Sequence, residues 1–73
     1  MQIYEYKGYT IYPAPHFVLG SNCWMIELII KNKNVIKKYD DINFFTTKGE
    51  AVFHSIVYGK KLIDDGIVFL NQA

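Results

Sequence analysis

Seventy-three residues with a hydrophobic fraction of 51% make one domain, spanning residues 1–73, and leave no room for a second core. The formal charge is +1 and all eight basic residues are lysines. The bidentate guanidinium fork that suits guanine edges and phosphates is therefore missing, which argues against a sequence-reading nucleic-acid binder. A chain this rich in Lys, Asn, Ile and Tyr also fits an AT-driven composition, which explains the missing arginine equally well.

One cysteine, Cys23, rules out an internal disulfide and fits a reducing compartment. The first residues, MQIYEYKGY, lack the charged start and apolar run of a signal peptide. No apolar run reaches membrane-spanning length, so the expectation is a cytoplasmic domain with no membrane contact.

In chain order, Lys7-Gly8 reads as a two-residue hairpin turn, with glycine supplying positive φ. Tyr4, Tyr6, Tyr9 and Ile11 then share one face, and Ile3, Glu5, Thr10 and Tyr12 the other. Pro13-Ala14-Pro15 is expected to end the second strand, because proline cannot donate to a ladder. A loop then runs from His16 to Asn22, with Gly20-Ser21-Asn22 as its turn cluster.

The third strand is the best defined. Trp24, Ile26, Leu28 and Ile30 alternate with Met25, Glu27, Ile29 and Lys31. Asn32-Lys33-Asn34 reads as a turn into a fourth strand over residues 35–41. A two-residue loop pairs Ile30 with Lys37, and a three-residue loop pairs it with Ile36; the second is kinder to a core and is favoured. All strands thus fall within residues 2–41.

Phe44-Phe45 are expected to enter the core on the approach to the helix. Thr47 and Glu50 form a capping box, Gly66 is a helix stop, and the helix covers about residues 48–65. On a helical wheel Val52, Phe53, Ile56 and Ile63 make one stripe, with the small residues Ala51, Ser55 and Gly59 beside it. Glycine in mid-helix costs up to about 1 kcal/mol against alanine. Its presence at position 59 points to very close approach of helix and sheet; fraying near that residue is the alternative. The apolar segment 67–70 is too short for a helix and reads as a last strand or as a stretch lying on a neighbour, in a tail over residues 67–73.

Chemistry is thinly signalled. His16, Cys23 and His54 stand at no metal-ligand spacing, so no metal or cofactor is expected. Cys23, at a strand start beside Trp24, reads as a small buried hydrophobe rather than a nucleophile. Glu50, His54 and Tyr58 recur every four residues and would form a polar ridge along the helix, against the alternative of an ordinary solvated face. Asp64 and Asp65 sit at the negative end of the helix dipole, which calls for local lysine partners, a neighbouring loop or a binding partner. Lys31, Lys33, Lys37 and Lys38 form a basic hairpin suited to single-stranded nucleic acid, but lysines on an edge also keep sheets from sticking together.

The segments YKGYTIYP, CWMIEL and FFTTKGEAVFHSIVYGKKLIDDG resemble a group of small uncharacterised bacterial proteins. Their outline is a Y-x-G-Y-x-I hairpin, a central Trp strand, and an F-x-T-x-x-E-A helix ending in G-K-x-I-I-D. Thr47, Glu50, Ala51, Gly59, Lys60 and Asp64 match the helical part, and Leu62-Ile63 stands where an isoleucine pair is usual. The resemblance implies a curled antiparallel sheet on one C-terminal helix, with no established activity. A looser likeness to HicB-type antitoxin domains rests on the order of elements alone.

Together these readings predict an α+β domain: a four-stranded antiparallel sheet in β-β-β-β-α order with the helix on one face. The expected core is Tyr4, Ile11, Trp24, Ile26, Leu28, Ile30, Phe45, Val52, Phe53, Ile56 and Ile63. One helix covers one face, so Ile3, Tyr12, Met25, Ile29 and Tyr39 would form an open apolar patch of the kind that marks interaction surfaces. The leading expectation is a non-enzymatic homodimer or protein partner module. The alternatives are a nucleic-acid binder and a small phage or mobile-element inhibitor of a host enzyme.

Overall fold

The computed structural model describes residues 3–68. It holds an antiparallel sheet of five strands and one C-terminal helix, an α+β fold. The strands are β1 (Tyr4–Tyr6), β2 (Tyr9–Pro13), β3 (His16–Val18), β4 (Cys23–Asn32) and β5 (Val35–Phe45), followed by α1 (Lys48–Asp64). β4 is central: β2 and β3 pair along one edge and β5 along the other, while β1 pairs with β2.

The first hairpin forms as its sequence predicts. Lys7 and Gly8 both have positive φ (49° and 84°), the geometry of a turn whose twist matches the flanking strands. Tyr4 opposes Ile11 and Tyr6 opposes Tyr9.

The two prolines do not end the second strand. Pro13 opposes Leu28, and three positions further on His16 opposes Met25 in the same register. Between them the Ala14 N–H donates to the Glu27 carbonyl at 2.7 Å. Donors alternate in direction along a strand, so Pro13 and Pro15, flanking Ala14, direct their missing N–H away from β4. β2 and β3 are therefore one interrupted strand, and the expected loop from His16 shrinks to a turn at residues 19–22. The sheet is an antiparallel meander with its second member in two pieces.

The β4–β5 connection is a two-residue turn at Lys33 and Asn34, so Ile30 opposes Lys37 and Lys31 opposes Ile36. This corrects the favoured three-residue loop. The Asn32 side chain accepts the Lys33 N–H at 2.8 Å, which holds the tight turn. β5 also runs on to Phe45 rather than stopping at Asp41. It crosses an irregularity where Glu27 opposes Asp40 but Met25 opposes Phe44. The extra residues are held by Asp41, whose carboxylate accepts the Ile42 N–H and the Asn43 amide, each at 2.8 Å. Such a bulge bends an edge strand and blunts its capacity to pair with another chain.

Helix α1 is capped by Thr47, whose hydroxyl accepts the Glu50 N–H at 3.2 Å. The Glu50 carboxylate accepts from the Thr46 and Thr47 hydroxyls rather than from a backbone donor, so the cap is half of the expected box. At the other end Gly66 (φ 73°) donates to the Ile63 carbonyl and Ile67 to Leu62, the paired bonds of a Schellman stop. Just past that stop, Val68 is fully buried, so the chain turns back into the core. Positions 69–73 of the expected tail lie outside the described residues.

The core is Tyr9, Ile11, Ile26, Leu28 and Ile30 from the sheet with Leu62, Ile63 and Val68 from the C-terminal segment. The helix presents a different stripe from the one its hydrophobic residues predict. Ala51, Ser55, Gly59, Leu62 and Ile63 are buried, whereas Phe53 is 62% exposed. Val52 and Ile56 are half-buried at the margins. Ser55 enters the core without an unmet donor because its hydroxyl donates to the Ala51 carbonyl at 2.7 Å. A Cβ at Gly59 would stand 2.9 Å from Leu28 Cδ1 and 3.0 Å from Ile11 Cδ1. The small residues are thus the contact surface itself, and helix and sheet approach closely because nothing projects between them. Tyr4, expected in the core, stays partly exposed at its rim, where the Lys60 ammonium lies 4.4 Å from its ring centroid.

Candidate protein-interaction face

Side chains on β4 alternate between the two sheet faces. With Ile26, Leu28 and Ile30 beneath the helix, Met25, Glu27, Ile29 and Lys31 point to the face the helix leaves open. The register then assigns their neighbours. Thr10 and Ile36 flank Lys31, Tyr12 and Lys38 flank Ile29, Asp40 opposes Glu27, and His16 and Phe44 flank Met25. Ile3, one residue ahead of β1, is also exposed.

The centre of this face is an open apolar groove of about 310 Å³ lined by Tyr12, Pro13, Ala14, Ile29, Lys31 and Ile36. Ile36 is 66% exposed and Phe44 is 54% exposed, and on β5 the two are separated on this face by Lys38 and Asp40. Charge is distributed around it with a polarity. Lys31 stands two residues from Ile29 in one direction along β4, and Glu27 stands two residues away in the other. Glu27 is held to Lys38 by an ion pair at 3.7 Å, with only 21% of its side chain exposed.

Four of the five expected patch residues, Ile3, Tyr12, Met25 and Ile29, are consistent with this face. Tyr39 is not: it opposes Leu28 and packs against the core from the helix side. The register that moves Tyr39 inward moves Ile36 and Phe44 outward; Ile36 was not expected there, and Phe44 was expected in the core. The alternation of β5 could not reveal this, since each of its faces mixes apolar and charged residues.

The lysine hairpin divides between faces. Lys31 and Lys38 lie on the open face, Lys37 opposes the core residue Ile30 on the other, and Lys33 occupies the turn. The polar ridge does not form as a hydrogen-bonded series. Glu50 is engaged with Thr46 and Thr47, and His54 stacks on Phe45 with ring centroids 4.4 Å apart and 9° between planes. Phe53 meets the same imidazole edge-on at 5.3 Å. Tyr58 is half-buried, and desolvation followed by the nearby Asp41 and Asp40 charges pushes its hydroxyl above the ordinary tyrosine range.

Asp64 answers the puzzle of carboxylates at a helix C-terminus. It accepts from Lys7 Nζ at 2.7 Å and from the Tyr6 hydroxyl at 2.9 Å, tying the first hairpin to the end of α1. Hydrogen bonding to Lys7 and then Tyr6 lowers the Asp64 pKa, and the same Asp64 contact raises that of Lys7. Asp65 pairs with Lys61 one turn back at 3.2 Å. Both carboxylates are thus occupied by the chain's own lysines.

Cys23 is half-buried and its thiol donates to the Ser21 carbonyl at 3.2 Å. Among the described residues, no three His, Cys, Asp or Glu side chains converge in a way that would hold a metal ion. No helix among them is long and apolar enough to cross a membrane. Comparison of the chain with protein-family models, with curated proteins and with solved structures finds no match.

Proposed function

We propose that this protein is a non-enzymatic interaction module of the cytoplasm that associates with a second copy of itself through the open sheet face. The observation that carries the reading is the apolar groove of Tyr12, Ala14, Ile29 and Ile36 in the middle of a face that no element of the described chain covers. A sheet with a helix on one side only must solvate its other side or give it to a partner. Residues on a solvated face alternate to polar; here Tyr12 and Ile29 sit side by side at its middle, with Lys38 next to them on β5. Light scattering over a micromolar concentration series tests this. The expected mass is that of a dimer, falling to a monomer in Ile29→Glu with circular dichroism unchanged. A strict monomer at high micromolar concentration rejects the reading.

Nucleic-acid binding is the second reading, favoured by one feature: Lys31 lines the groove beside Tyr12, with Lys38 on the same face. That pairs a stacking ring with cations. Glu27 and Asp40 share the face and oppose a polyanion. The reading expects salt-sensitive binding of single strands that is lost in a Lys31→Glu, Lys38→Glu variant. No binding at low salt removes it.

A further inference from the structure

We infer that the second copy seats on the open face in one orientation, with a two-fold axis running across the strands at Ile29, so that Lys31 of each copy lies over Glu27 of the other. This rests on the self-association proposed above and adds its geometry. Four strands at about 4.8 Å spacing and about eight residues at 3.4 Å rise give a face of about 500 Å². Two such faces bury about 1,000 Å² in all, near the lower limit for a specific interface. A face of that size has little area to spare, so the placement of charges decides how it can be used.

Closed dimers are isologous: the same patch meets itself, and residue i of one copy contacts residue j of the other reciprocally. Two sheets packed face to face about 10 Å apart, with strands nearly aligned, offer two simple axes in the plane between them. An axis along β4 sets Lys31 on Lys31 and Glu27 on Glu27, and like charges placed opposite each other in a closing interface are strongly unfavourable. An axis across the strands at Ile29 exchanges the two ends of β4. Lys31 and Glu27 lie at equal steps on either side of Ile29 on one face, so this rotation produces two opposite-charge contacts around an apolar centre of Tyr12 and Ile29. Lys38 lies in the row of the axis and approaches its own counterpart. It does so at the β5 margin, where its side chain is 63% exposed and already paired with Glu27 of its own chain.

Mixed charge of this layout favours a second copy over a partner of one net sign. A partner of one net sign would meet attraction at one end of β4 and repulsion at the other; a rotated copy meets attraction at both. The apolar groove between them receives the matching Tyr12–Ile29 row rather than a foreign side chain.

Sedimentation velocity on four samples tests the seating: Lys31→Glu, Glu27→Lys, both substitutions in one chain, and an equimolar mixture of the two single variants. Each single variant is expected to dimerise at least about tenfold more weakly, because two attractive contacts become repulsive. The double variant recovers dimerisation, and the mixture forms the heterodimer. Thermal unfolding confirms that each variant folds, and Glu27→Gln replaces Glu27→Lys if that chain does not, with a partial loss expected. Single variants that dimerise like the wild type overturn the seating while leaving self-association intact. So does a double variant or a mixture that stays monomeric. A wild-type chain that is monomeric throughout overturns the self-association reading and this inference with it.

Discussion

Leu28 and Ile29 are neighbours on β4, yet Leu28 is fully buried beneath α1 and Ile29 lines an open groove. On the covered face, aliphatic side chains from β2 and β4 meet a helix stripe of Ala51, Ser55 and Gly59, whose small size lets the layers close. On the open face, side chains of similar apolarity meet nothing from the described chain. The open face is the more mixed of the two, since Lys31, Glu27, Lys38 and Asp40 share it, but its apolar residues differ from those beneath the helix chiefly in lacking a complementary surface from the described chain. Packing density converts apolar area into stability only where the partner is shaped to fit; elsewhere the same area stays available for association.

The largest expected effect breaks or upholds that contrast within a single dipeptide. Leu28→Ala removes a fully buried side chain and should lower the free energy of unfolding by about 3 kcal/mol. Ile29→Ala should cost the monomer less than about 1 kcal/mol while weakening self-association. Urea denaturation at low concentration measures both, and equal losses would erase the distinction between the faces. Next comes the helix contact. Gly59→Ala gains up to about 1 kcal/mol of helix propensity, but forces contacts of 2.9 to 3.1 Å on Leu28 and Ile11. Overpacking costs about 1–3 kcal/mol, so the expected net is a loss of about 1 kcal/mol. Gly49, where an added Cβ meets nothing within 4 Å, should instead tolerate alanine or gain slightly. A smaller effect still is expected at Phe53. Its exposure predicts that Phe53→Lys shifts stability by less than about 0.5 kcal/mol, whereas a core phenylalanine would cost several times that.

Legibility in the sequence followed how local each signal was. The Lys7-Gly8 turn, the alternation of β4, the Thr47 cap and the Gly66 stop each depend on a few adjacent residues, and each stands where the sequence places it. Gly59 as a point of close approach was also legible, because only a packing reason offsets glycine's cost in mid-helix. What failed depended on register or on size. Pro13 and Pro15 look like strand breakers until it is known that the Ala14 N–H faces β4. The phase of β5 turns on one residue of loop length, and that residue exchanges Tyr39 for Ile36 on the candidate site. A wheel weighted by hydrophobicity selects Phe53, whereas close packing selects Ala51 and Ser55. The candidate face was therefore readable along β2 and β4 and hidden along β5.

At one end of the covered face a polar clamp joins the first hairpin to the end of α1, and this yields the smallest predicted effect. Asp64 is held below the ordinary carboxylate range by its hydrogen bond to Lys7 and then by that to Tyr6, and Lys7 is raised by its hydrogen bond to Asp64. A carboxylate with a lowered folded-state pKa contributes stability that is present above its unfolded value and lost as pH falls through the folded one. An amine with a raised folded-state pKa contributes stability that is present below its unfolded value and lost as pH rises through the folded one. The clamp between the first hairpin and the end of α1 is therefore intact between about pH 5 and pH 10. Asp64→Asn should lower the thermal midpoint slightly across that window, and the difference from wild type should vanish toward both extremes. Because the ion pair is exposed, with Asp64 41% and Lys7 63% accessible, molar salt should shrink the difference at neutral pH as well. An Asp64→Asn deficit that persists unchanged at pH 2 and in molar salt would show that the loss does not come from the carboxylate's charge, and no deficit at any pH would leave the hairpin's attachment to the contact of Lys60 with the Tyr4 and Tyr6 rings.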